Sequence, residues 1–106
     1  MDSETKFVCK ISALTQEQRD RQVQVYHWLA DARRSVLELD DGYAFEYPAE
    51  MDIYPLLGEF IGFEHLCCPF FRLSIELEPE AKSVWLKVTG EPGVKAFVYA
   101  EFISED

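Results

Sequence analysis

The stretch Phe71–Val88, FRLSIELEPEAKSVWLKV, decides the fold. Phe71, Leu73, Ile75 and Leu77 alternate with Arg72, Ser74, Glu76 and Glu78, and Val84, Leu86 and Val88 then alternate with Trp85, Lys87 and Thr89. A period of two marks a strand with one apolar face. Pro79 to Ser83 supplies the turn, so the stretch predicts an antiparallel hairpin.

A second hairpin lies upstream. Ser35–Leu39 and Tyr43–Tyr47 flank Asp40-Asp41-Gly42. A two-residue Asp41-Gly42 turn would pair Glu38 with Phe45 and mix charge with aromatic. A three-residue loop pairs Leu39 with Tyr43 and Leu37 with Phe45, with Gly42 in a left-handed bulge position. The second pairing gives the more coherent face and is the one expected. Thr5–Ile11 reads as a further strand, with Phe7, Cys9 and Ile11 on one side and Lys6 and Lys10 on the other.

Helical segments separate these strands. Thr15 and Gln18 have the spacing of a capping box for a helix running to about Arg33, with Val23, Tyr26, Leu29 and Ala30 on its apolar arc. Asp52 is placed to cap a second helix that Pro69 ends at about Cys68. Pro92 starts a last helix as its first residue, with Val94, Phe97, Val98 and Phe102 as its packing face. The expected class is α+β: an antiparallel sheet of the first strand plus two hairpins, covered mainly on one face by helices, in the order β-α-β-β-α-β-β-α. The 106 residues suit a single domain spanning 1–106, with residues 1–4 and 104–106 frayed.

Charge narrows the partners. Twenty acidic residues against ten basic ones give a formal net charge of -10, and Arg33-Arg34 is the only adjacent basic pair. Nucleic acid and anionic membranes need concentrated Lys and Arg, so neither is an expected partner. The N-terminus has no signal-peptide pattern and no apolar run approaches a membrane span, which makes the cytoplasm the default location. Three cysteines in a reducing compartment are thiols, ligands or packing groups rather than a disulfide framework.

The chemistry-bearing segment is EHLCCPF, Glu64–Phe70. Helical periodicity puts Glu64 in the middle of the arc of Ile53, Leu57, Phe60 and Ile61, while Glu59 falls on the solvent side. A buried carboxylate must be neutralised, paired or metal-bound. Arg72, Arg19, Lys10 or a tyrosine could pair with it. Cys67 and Cys68 follow three and four residues later on the same arc, Cys9 points from the first strand toward the same core, and His65 sits at the edge. Three sulfurs with a carboxylate or imidazole suit zinc, copper(I) or mercury(II). The candidate metal ligands are therefore Cys67, Cys68, Glu64, Cys9 and His65. The plainer reading makes the cysteines core residues, since free cysteine is among the most buried types. A Cys67–Cys68 disulfide is opposed by helical geometry, whereas Cys68 with Cys9 stays open.

Other templates are absent. Gly90-Glu91-Pro92-Gly93 is too short and acidic for a phosphate loop, and no catalytic triad, HExxH or calcium loop is present. Leu66, Phe63, Trp28 and Trp85 fall in directions that one core does not use, which predicts a homodimer.

The segment FIGFEHLCCPFF (Phe60–Phe71), with LSIELEPE, VWLKVTG and EPGVKAF after it and FVCKISALTQEQR at the start, resembles a family of small uncharacterised bacterial proteins. Glu64, Cys67, Cys68, Pro69 and Phe70 carry the resemblance, together with Gly90, Pro92 and Gly93. The resemblance implies a stand-alone cytosolic protein and assigns no catalytic residues. Similar cysteine-proline-aromatic endings occur in proteins linked to heavy-metal handling, which points toward a thiol site that binds or senses a soft metal. The alternative is a dimeric interaction module.

Overall fold

Both hairpins enter one four-stranded antiparallel sheet in the computed structural model, which describes residues 7–104. The strands are β1 (Ser35–Leu39), β2 (Gly42–Pro48), β3 (Arg72–Glu76) and β4 (Ser83–Thr89), in the order β1-β2-β4-β3. The helices are α1 (Gln16–Ala32), α2 (Ile53–Cys67) and α3 (Val94–Val98), the last continuing into a π-helical turn, Tyr99–Ile103. They cover mainly one face of the sheet. Residues paired across neighbouring strands share a face, so Tyr43, Phe45 and Tyr47 of β2 stand beside Val88, Leu86 and Val84 of β4 on the covered side. Five of those six side chains are buried, and Tyr43 is half-buried.

Helix periodicity explains what fills the other layer. In α2 the buried residues are Ile53, Leu57, Phe60, Glu64 and Cys67, a stripe of the spacing that an amphipathic helix uses. In α1 the buried residues are Val25 and Leu29, with Gln18 and Gln22 half-buried on the same stripe. The capping box is formed: Thr15 Oγ1 accepts from Gln18 N–H, and Gln18 Oε1 accepts from Thr15 N–H. Val23, expected on the packing arc, is exposed because the stripe runs one residue earlier, through Gln22.

Several local expectations are corrected. Phe7–Lys10 is not a strand; it is an irregular segment followed by a 3-10 turn, Ile11–Ala13, and Thr5 and Lys6 lie outside the described residues. Its alternation serves packing against the end of α2 instead of sheet pairing. The first hairpin loop is Asp40-Asp41, so Leu39 pairs with Gly42, Leu37 with Ala44 and Val36 with Phe45. β4 fixes which side of β2 faces the core, and the tight loop then turns Leu37 and Leu39 to the open face. Gly42 is not left-handed; a Cβ there would stand 2.1 Å from the Val88 carbonyl oxygen, so close strand approach is what requires glycine.

Asp52 occupies the N-cap of α2 without a side-chain capping bond, because its backbone is already helical. Pro92 precedes the start of α3, where Gly93 takes the cap with a φ of 103°. The expected frayed ends, residues 1–4, fall outside the described residues, as do 105–106. Ser104 donates its N–H to the Tyr99 carbonyl at 2.8 Å. Among the described residues no helix is long and apolar enough to cross a membrane.

Candidate metal centre

The site is built where α2 stops. Proline at position 69 disfavours helical backbone at Cys68, whose φ of -127° and ψ of 74° leave the helix. The Cys68 N–H still reaches the Glu64 carbonyl at 2.7 Å, so the departure comes only after the last helical bond. This exit sets the Cys67 and Cys68 sulfurs 3.9 Å apart. The N-terminal segment then passes alongside, and Lys10 N–H donates to the Cys67 carbonyl at 2.6 Å. That contact brings in the third sulfur, and Cys9 and Cys68 are joined as a disulfide. The pairing that the sequence leaves open is the one formed, and Cys67 is the one that remains a thiol.

All three sulfurs lie within 4.8 Å of one another. Cys67 and Cys68 are buried and Cys9 is half-buried. This is a small α+β domain with a cysteine cluster capable of metal coordination. Its fit to an ion can be tested on distance. A zinc–sulfur bond is about 2.3 Å, so two sulfurs on one tetrahedral ion stand about 3.8 Å apart. The Cys67–Cys68 separation already meets that requirement. Cys9 and Cys68 meet it only after their disulfide is reduced.

Glu64 is buried at 6% exposure, as helical periodicity predicts. Its partner is Gln22 of α1, whose Nε2 donates to Glu64 Oε2 at 3.0 Å. None of the cations considered from the sequence fills that role. Burial pushes the Glu64 carboxyl up to about 7; the Gln22 hydrogen bond opposes the rise, and the charge of Glu101 adds to it. The Cys67 thiol is also pushed up, first by burial and then by the neighbouring Glu64 charge. Glu64 nonetheless stands outside the compact sulfur triad, and His65 is exposed and is not brought to it. Gln22 was legible as a polar residue on the stripe of Val25 and Leu29, three positions before one and seven before the other. Glu101 was not, since it lies in the π-helical turn, whose wider period departs from that of the helix expected after Pro92. An open cleft of about 380 Å³ leads to Glu64 between Gln22, Tyr26, His27, Glu101 and Phe102.

No family model, curated protein or solved structure matches this chain.

Proposed function

We propose that this protein binds a soft metal ion through the sulfurs of Cys9, Cys67 and Cys68 in its reduced state, as a metal-binding or metal-sensing module. The observation that carries the reading is the third sulfur. A disulfide staple needs two cysteines, and Cys67 is left over at a ligand-like distance from Cys68. Thiolates select zinc, copper(I) or mercury(II) over hard cations. Three sulfurs leave a fourth position open on a tetrahedral ion, with Glu64 the nearest carboxyl along the same helical stripe. The resemblance carried by Glu64, Cys67, Cys68, Pro69 and Phe70 supports the same reading, and a cytoplasmic setting would keep the thiols reduced.

Metal titration of reduced protein, followed by mass spectrometry under native conditions, tests it. One ion per chain is expected, with affinity falling as pH drops and the thiols protonate. Cys67→Ser is the sharp variant, because it removes a ligand and leaves the Cys9–Cys68 disulfide available. Uptake unchanged in Cys67→Ser, or no uptake of zinc, copper(I) or mercury(II) by the unmodified protein at micromolar concentration, sinks the reading.

A second reading, a homodimer, is favoured by the open sheet face. Leu37 there is 53% exposed, and Leu39 and Trp85, both half-buried, lie on the same face. A specific interface of about 1,000 Å² or more should cover this patch. Light scattering at micromolar concentration should then give twice the chain mass, and a Leu37→Lys substitution should halve it.

A further inference from the structure

We propose that the Cys9–Cys68 disulfide is a reversible latch, opened by small-molecule thiols, that holds the N-terminal segment against the end of α2 and controls access to the sulfur triad. The metal part of this inference rests on the reading above; the latch itself does not.

Accessibility sets where a reductant can attack. Cys68 is 2% exposed and Cys67 is 4% exposed, whereas Cys9 is half-buried on a segment without sheet pairing. An incoming thiolate therefore meets Cys9 Sγ first. Its sulfur bonds to Cys9 Sγ, the Cys9–Cys68 bond breaks, and Cys68 leaves as a thiolate. A second small thiolate attacks the outer sulfur of the mixed disulfide, which releases Cys9 as a thiolate and a small-molecule disulfide. Two small thiols are oxidised and one protein disulfide is reduced, and their two protons pass to the released sulfurs or, when those sulfurs bind metal, to solvent. Cys67 stays a thiol throughout. The reverse exchange with a small-molecule disulfide closes the latch.

What the bond holds is narrow. The sheet centre and the α1–α2 layer are packed by Val25, Leu29, Leu57, Val84, Leu86 and Val88, none of them on the segment. The segment is tied by the disulfide, by Lys10 N–H on the Cys67 carbonyl, and by Phe7, whose ring packs 5.1 Å from Phe70 and lies against Gly93 at the edge of the core. Opening the latch can therefore free residues 7–10 and leave the layers intact. In the closed state two of the three sulfurs are bonded to each other and withheld from a metal.

The test uses the full chain and trypsin, reading cleavage after the exposed Lys10. Alkylation after an acid quench and unfolding should count one thiol in the oxidised protein and three in protein first treated with dithiothreitol under native conditions. Cleavage at Lys10 should speed up about tenfold or more on reduction, as expected when local opening governs proteolysis. Cys9→Ser should be cleaved fast with or without dithiothreitol, and Cys67→Ser should keep the response. Equal cleavage rates in oxidised and reduced protein, or a thiol count that stays at one under native reduction, overturns the latch. Zinc added to reduced protein freed of dithiothreitol should slow cleavage again. If it does not while the thiol response persists, the metal reading fails and the latch stands.

Discussion

Glu59 and Glu64 lie on the same helix, and neighbouring residues of α1 reach out to both, yet they end in opposite states. Arg21 meets Glu59 with two hydrogen bonds of 2.8 Å at the open end of the α1–α2 seam. Gln22, the next residue, meets Glu64 with one bond of 3.0 Å at the buried end beside Cys67, at the foot of the cleft. The Arg21 bond holds the Glu59 carboxyl below its ordinary range, while burial drives Glu64 up to about 7. A cation partner in water favours the charged form, and an amide partner in an apolar wall does not offset desolvation. The seam thus has a solvated end suited to holding charge and a buried end, at the foot of a cleft, suited to holding neutral groups. The cysteines belong to the buried end.

The hardest blow to that difference is to breach the apolar wall. Phe60 lies one turn before Glu64 on the buried stripe, and its ring packs edge-on against Phe102 at 5.8 Å. Phe60→Ala should cost about 3–5 kcal/mol by chemical denaturation, the usual range for an emptied aromatic site. It should also wet Glu64 and return its titration toward the ordinary carboxylate value, measurable by carboxyl NMR. A loss of stability without that return would show that Phe60 packs the core but does not shield Glu64.

Next in size is the covalent tie. The Cys9–Cys68 bond closes a loop across 59 positions of sequence. Restriction of so long an unfolded loop makes a disulfide worth about 2–4 kcal/mol. Cys9→Ser should lower stability by that amount if the freed segment stays docked, and by less if it lifts away and regains its own entropy. Comparing the denaturation midpoint with the trypsin rate at Lys10 separates the two cases.

These two tests mark where the sequence was readable. Alternation in Phe71–Val88 sets one whole hairpin, and the stripe from Ile53 to Cys67 places Glu64 on the buried side. Both signals repeat over several turns or residues, so no single neighbour can overrule them. Phe7, Cys9 and Ile11 offered only three apolar positions of alternation, and tertiary contacts with α2 decided the path of the segment. Leu37 and Leu39 were read to the wrong face because loop length, a matter of one residue, fixes the parity of an entire strand. The sulfur cluster was legible as a grouping: Cys67 and Cys68 share a helical arc, and the alternation of Phe7, Cys9 and Ile11 turns Cys9 toward the same core, although the segment that carries it is irregular and not a strand.

Glu64 gives the smaller and more specific effect. Its folded value of about 7 lies above the ordinary 4.5, so the native state binds a proton that the unfolded chain has lost across that window. This contribution is fully present below about 4.5 and disappears as pH rises through about 7. Glu64→Gln keeps an oxygen to accept from Gln22 and removes the charge. At pH 8 it should stabilise the protein on the order of 1–3 kcal/mol, and at pH 4.5 the two proteins should be nearly equal. Denaturation curves at both pH values decide it, and an equal offset at the two would mean that Glu64 is not held neutral by burial.

Glu59 should give the smallest effect, and with the opposite slope. Its lowered carboxyl contributes stability above its ordinary range that is lost as pH falls. Both members of the pair are well exposed, at 41% for Arg21 and 34% for Glu59, so solvent screens their attraction. Arg21 also stands 5.1 Å from the Trp28 ring, a contact that survives when Glu59 is replaced. Glu59→Gln should therefore shift the denaturation midpoint only slightly at neutral pH, and 1 M salt should erase the shift, since the screening length there is about 3 Å. A salt-resistant loss as large as the gain from Glu64→Gln at pH 8 would mean that the open end is desolvated as well. The contrast between the two ends would then rest on the partner's charge alone.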